Sequence, residues 1–130
     1  MPRVLLAEDN KLNQIVAAGT LRKLGYDIEI VDGGLAAVEA FRNGSFDAIL
    51  MDVMMPDLDG YQATSEIRSI EAATGALRTP IIGLSARAMD GDREIALAAG
   101  YTDYITKPLR EQELDEALKR WIGSPVAPTA

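Results

Sequence analysis

Two rhythms alternate along the chain. Short apolar blocks, "RVLLA" at 3–7, "DIEIV" at 27–31, "FDAILMD" at 46–52, "IIGLS" at 81–85 and "DYIT" at 103–106, have the length and residue types of strands. Longer segments at 11–24, 34–42, 60 to about 73, 91–99 and 110–122 read as helices. Gly25, the "NGS" at 43–45 and Gly100 follow three of them as stop signals, and Asp59 stands where it can cap the third. "ATGALRTP" reads as a loop, with Pro80 opening the fourth strand. Five strand–helix units predict an α/β fold with a doubly wound, five-stranded parallel sheet over residues 1–122. The remaining "GSPVAPTA", 123–130, has no periodicity and is expected to be a flexible tail or linker stub.

Composition narrows the chemistry. One hundred and thirty residues suit one domain with a core of its own. With neither cysteine nor histidine, the chain has no disulfides, thiolate ligands, serine–histidine triad or phosphohistidine of its own. A net charge of −7 argues against nucleic acid as a partner, because phosphate contacts need clustered Lys and Arg. No apolar run approaches the ~20 residues of a membrane span. "MPRVLLAEDN" enters the first strand almost at once, so no signal peptide and a cytoplasmic location are expected.

A doubly wound sheet carries its functional residues at the carboxyl ends of its strands. Strand one ends in Glu8 and Asp9, strand three in Asp52, strand four in Ser85, and strand five in Thr106, Lys107 and Pro108. Taken singly, each has a plain structural reading. Acids before a helix cap it and face its dipole, Ser85 is a strand-end hydroxyl, and Lys107 is a solvated lysine. If strands one and three are neighbours, however, three carboxylates converge and repel unless a cation joins them. Hard oxygen ligands with room for water suit Mg²⁺. Glu8, Asp9 and Asp52 would give side-chain oxygens, and a backbone carbonyl just after Asp52, that of Met54, another.

With "LLAEDN", "ILMDVMMPDLDG", "GLSARA" and "DYITKP" together, residues 3 to about 122 resemble the receiver domain of two-component response regulators. "EDNKLNQ" and "GDREIALAAGYTDYITKP" look most like receivers attached to hybrid sensor histidine kinases. The resemblance implies the flavodoxin-like (βα)5 fold with strand order 2-1-3-4-5. It implies that Asp52 accepts a phosphoryl group, and that Glu8, Asp9, Asp52 and the Met54 carbonyl hold Mg²⁺. Ser85 and Lys107 would contact the phosphoryl group, and the Lys107–Pro108 bond would be cis. Tyr104 would rotate with Ser85, switching the face of helix four, strand five and helix five. The alternative for Tyr104 is a strand tyrosine packed on the last helix. The implied partner is a histidine kinase or histidine phosphotransfer protein. The chain would be a monomer or a weak phosphorylation-dependent dimer, and it would assist only its own chemistry rather than act as an enzyme.

Three other readings compete. A Mg²⁺-dependent phosphatase with an aspartate nucleophile needs a second aspartate where Met54 stands. A flavin binder needs a glycine- and hydroxyl-rich loop where "EDNKLN" stands and would repel phosphate. A degenerate receiver used only for interaction lacks a missing residue to support it. On the first helix, a 100° wheel puts Asn13, Val16, Ala17, Thr20, Leu21 and Leu24 towards the sheet. Leu12, Ile15 and Ala18 then lie outside the core face. Leu12 and Ile15, with Pro108, are the expected partner-docking residues.

Overall fold

The computed structural model describes residues 2–55, 57–76, 78–86 and 91–122. The tail expected at 123–130 lies outside the described residues, as does Arg87 in the quoted "GLSARA". The elements follow in strict alternation: β1 (Arg3–Ala7), α1 (Lys11–Lys23), β2 (Asp27–Val31), α2 (Gly34–Asn43), β3 (Ala48–Asp52), α3 (Gly60–Thr74), β4 (Ile81–Ser85), α4 (Asp92–Ala99), β5 (Asp103–Thr106) and α5 (Glu111–Ile122). All neighbouring strands pair in parallel, in the order β2-β1-β3-β4-β5. This is the α/β architecture expected from the strand–helix alternation, with the strand order that the resemblance implies.

The burial pattern explains the two rhythms. β1, β3 and β4 are covered on both faces by crossover helices, so they read as continuous apolar runs. Val4, Leu6 and Leu50 face α1 and α5, where they meet Ala17, Leu21, Leu114 and Leu118. Leu5, Ala7, Ile49 and Met51 face the other way, against Val38, Ala63, Ile67 and Ala96. Each such side chain, fully buried, contributes about 1.5–3 kcal/mol of transfer free energy. β2 is an edge strand, and all five of its residues keep some exposure, Ile30 among the exposed ones.

Helix starts follow their caps. Asn10 accepts the Asn13 N–H at 3.0 Å and opens α1. Asp59 and Gln62 form a reciprocal capping box at α3. Gly100 closes α4 at a φ of 114°, a left-handed conformation that disfavours any residue with a Cβ.

The facing of α1 needs correction. Its buried residues are Gln14, Ala17, Ala18 and Leu21. Ala18 therefore lies in the core rather than outside it, and Val16 is exposed. The wheel followed aliphatic bulk. The helix instead sets two alanines against the sheet, where close packing favours small side chains, and Gln14 joins them because a backbone carbonyl satisfies its amide. Leu12, Ile15 and Val16 then form one contiguous exposed apolar arc.

Candidate functional site

Parallel strands deliver their carboxyl ends to one edge of the sheet. β1 pairs with β3 from Val4↔Ala48 to Ala7↔Met51, so the residues that follow, Glu8 and Asp52, emerge side by side. Glu8 and Asp52 are buried, while Asp9 is exposed. One oxygen from each of the three carboxylates can lie within 4.8 Å of the others.

Lys107 enters from the end of β5. Its Nζ donates to Glu8 Oε1 at 2.7 Å and to Asp52 Oδ2 at 2.9 Å. Burial disfavours its charged form, but the hydrogen bonds and charges of Glu8 and Asp52 outweigh this and hold the ammonium above its ordinary range. Removing the ammonium alone would strand two buried carboxylates, at a cost of about 3–5 kcal/mol. The Lys107–Pro108 peptide is cis, and the Lys107 N–H donates to the Ser85 carbonyl at 2.6 Å. The Met54 N–H donates to Asp52 Oδ1 at 3.3 Å, leaving the Met54 side chain exposed. The Asn10 N–H donates to Glu8 Oε2 at 3.1 Å.

Three carboxylates against one ammonium leave two negative charges uncompensated, the deficit that a divalent cation would fill. The donors are hard oxygens, and Asp9 stands at the open side. The residues present therefore fit a hard divalent cation such as Mg²⁺.

Ser85 is buried at the end of β4, one residue beyond the Asp52↔Leu84 pair. Tyr104 is half-buried and lines a small hollow of about 60 Å³ with Val53, Met54, Tyr61, Ser85 and Asp92. It packs on the α3 and α4 side of the sheet, whereas Ile105 faces α5. The alternative reading of Tyr104, packed on the last helix, is thus corrected by strand alternation.

The expected docking residues lie together. Leu12 and Pro108 line a groove of about 160 Å³ with Asn13, Val16, Lys107 and Leu109, and Ile15 stands exposed beside it on α1.

Three supporting residues escaped the sequence reading. Asp57 accepts the Gly34 N–H at 3.1 Å and the Leu35 N–H at 3.3 Å, capping α2 across the fold. Hydrogen bonds from Leu58, then Gly34 and Leu35, hold its carboxyl below the usual range. Tyr101 is buried behind Asp52, and a Cβ at Gly60 would strike both its hydroxyl and the Asp52 carbonyl. That close approach is why glycine opens α3. Gln14, buried on α1, donates to the Glu8 carbonyl at 2.6 Å. The available signal was its spacing of three and four from Ala17 and Ala18, a small-residue face that the wheel did not choose.

Known proteins match this arrangement. The family model described as the response regulator receiver domain matches residues 4–119. The sensor protein GacS of Pseudomonas syringae pv. syringae is 41% identical over 122 residues, which cover 94% of this chain and 14% of that protein. Hybrid signal transduction histidine kinase I of Dictyostelium discoideum is 42% identical over 125 residues, 92% of this chain and 7% of that protein. The chain thus spans a small fraction of the length of these curated relatives. Among solved structures, the receiver domain of sensor histidine kinase PA1611 from Pseudomonas aeruginosa PAO1, with magnesium coordinated in its active site cleft, is 49% identical. It superposes with a TM-score of 0.85, covering 95% of this chain and 98% of that one. A chain of the Saccharomyces cerevisiae co-crystal of the phosphotransfer protein Ypd1 and the Ssk1 receiver domain gives a TM-score of 0.88 at 31% identity, covering 92% and 88%. Among the described residues no helix is long and apolar enough to cross a membrane. With the matched sheet order, the clustered acids and Lys107 all in place, the chain belongs to the response regulator receiver domain family of phosphorelay signalling.

Proposed function

We propose that Asp52 is the phosphoacceptor of a phosphorelay and takes its phosphoryl group from a phosphohistidine on a histidine kinase or histidine phosphotransfer protein. The observation that carries this is the Lys107 bridge between Glu8 and Asp52, with Asp9 beside it, which leaves a reactive carboxylate in a cation-poor acidic site. An Asp52 carboxylate oxygen attacks phosphorus, the phosphorus–nitrogen bond breaks, and the imidazole nitrogen leaves with the bonding pair. Lys107 neutralises charge on the equatorial oxygens and Ser85 donates a hydrogen bond to one of them. Glu8, Asp9, Asp52 and the Met54 carbonyl would hold Mg²⁺, which supplies further neutralisation of that charge. The new phosphoryl group draws Lys107 and Ser85 to itself, and Tyr104 turns towards the hollow beside Ser85. That biases an equilibrium on the face of α4, β5 and α5. The chain turns over no external metabolite, and residues 1–122 act as one receiver unit. Leu12, Ile15 and Pro108 form the surface on which the donor's helices pack.

The magnesium in the PA1611 receiver and the Ypd1–Ssk1 pairing support this reading for this chain by similarity. The test is labelling with acetyl phosphate and Mg²⁺, read by intact mass. One acid-labile phosphoryl group is expected on the wild type and none on Asp52→Asn. Labelling that persists in Asp52→Asn, or that ignores removal of Mg²⁺, refutes the assignment.

A further inference from the structure

We infer that Gln14 is a positioning residue of this site, holding the turn that carries Glu8 and Asp9 in the geometry that receives a divalent cation. The inference rests on the proposed role of those acids.

The turn from β1 into α1 has little ladder support. The Glu8 N–H is the last tie to β2, donating to the Val31 carbonyl at 3.1 Å. Beyond it the Glu8 carbonyl has left the sheet. A buried carbonyl without a partner is costly and lets the peptide plane rotate towards water. Gln14 prevents this by donating its side-chain amide to that carbonyl at 2.6 Å. It does so from a buried position on the helix that the same turn begins, where its own N–H donates to the Asn10 carbonyl at 2.9 Å.

The remaining contacts make a closed set. The Asn10 N–H returns to Glu8 Oε2, and the Asn10 side chain accepts the Asn13 N–H. The Glu8 side chain is thereby aimed at Lys107, and Asp9 stands between two pinned residues with its carboxylate at the open edge. Without the Gln14 amide, the Glu8–Asp9 peptide gains rotational freedom, and the cation must order it on binding. Outer hydrogen bonds that orient metal ligands typically change metal affinity by about 10–100-fold.

The test uses Gln14→Met, which keeps length and burial but cannot donate. In the metal-free protein, amide hydrogen exchange at Asn10 should rise by about 10-fold while Ile49 and Leu50 in β3 stay unchanged. The Mg²⁺ dissociation constant, measured by titration, should weaken by at least about 10-fold. In the wild type, the Gln14 side-chain amide should exchange slowly and shift along the same Mg²⁺ titration as Asp9. That arm needs no variant and stands if Gln14→Met folds poorly. A variant that loses thermal stability with both the Asn10 exchange and the Mg²⁺ constant within twofold of wild type refutes the inference. So does a wild-type Gln14 amide that exchanges like a free one. If the wild type binds no Mg²⁺, the cation reading fails, whereas unchanged exchange at Asn10 sinks the role of Gln14 itself.

Discussion

Asp103 opens β5 and is buried to 4% exposure, yet it is an acid. Its Oδ1 accepts the Tyr104 N–H at 2.8 Å and Arg93 Nη1 at 2.8 Å, and its Oδ2 accepts Trp121 Nε1 at 2.9 Å. Arg120 lies 3.7 Å from Oδ2. One carboxylate thus ties α4 and α5 to β5 at the residue before Tyr104. Replacing it with Asn keeps the shape and one acceptor. The Asn amide can keep the Oδ1 contacts only by placing its NH₂ against the Trp121 N–H, so a donor meets a donor. A hydrogen bond to a charged group contributes about 1.5–3 kcal/mol, and the two arginine pairs, half-exposed, add about 0–1 kcal/mol together. Losing the Trp121 bond and the charge should therefore cost about 2–3 kcal/mol, or a fall of roughly 5–10 °C in melting temperature. Burial raises the Asp103 pKa, but the Trp121, Tyr104 and Arg93 hydrogen bonds outweigh it and hold the carboxyl below its usual range. A lowered folded-state pKa gives stability that is present above the unfolded value of about 3.9 and lost as pH falls through the folded one. The gap between wild type and Asp103→Asn should accordingly be full near pH 6 and shrink as the pH falls below about 4. Denaturant unfolding across that range measures it. Trp121, the one tryptophan of the chain, reports on the same site through a red-shifted emission in the folded variant. A loss under about 0.5 kcal/mol, a gap independent of pH, or an unchanged emission would refute the reasoning.

Two further outcomes follow from the site. Met54, two residues beyond Asp52, offers no side-chain hydrogen bond to orient an attacking water, so Met54→Asn should hasten decay of the phosphoprotein, followed as loss of label after donor removal; equal or slower decay counts against this. Ile15→Asp alters an exposed residue of α1, so it should slow phosphotransfer from a histidine phosphotransfer partner while acetyl phosphate labelling stays near wild type; equal losses with both donors refute the docking role, and a stability loss above ~2 kcal/mol would mean that the change acts through folding instead.

The sequence by itself determined the elements and the candidates. Continuous apolar runs mark strands covered on both faces, and Gly25, Asp59 and Gly100 mark helix limits, because periodicity and capping are properties of a few neighbouring residues. Acids at the ends of β1 and β3 stood out because apolar strands rarely close on a charge. The resemblance then named their roles. Tertiary structure decided what no local pattern encodes. Lys107 meets Glu8 across 99 residues and Asp52 across 55, and only the strand order brings those ends together. Asp57 caps α2 from 23 residues away, a contact that the absence of a Cβ at Gly33 permits. Asp103 gathers donors from α4 and α5. The facing of α1 was misread for the same reason. Hydrophobicity ranks side chains one at a time, whereas the face a helix buries is set by what the sheet leaves room for and which backbone groups it leaves unpaired. At α1 that favoured two alanines and a glutamine over the larger Val16.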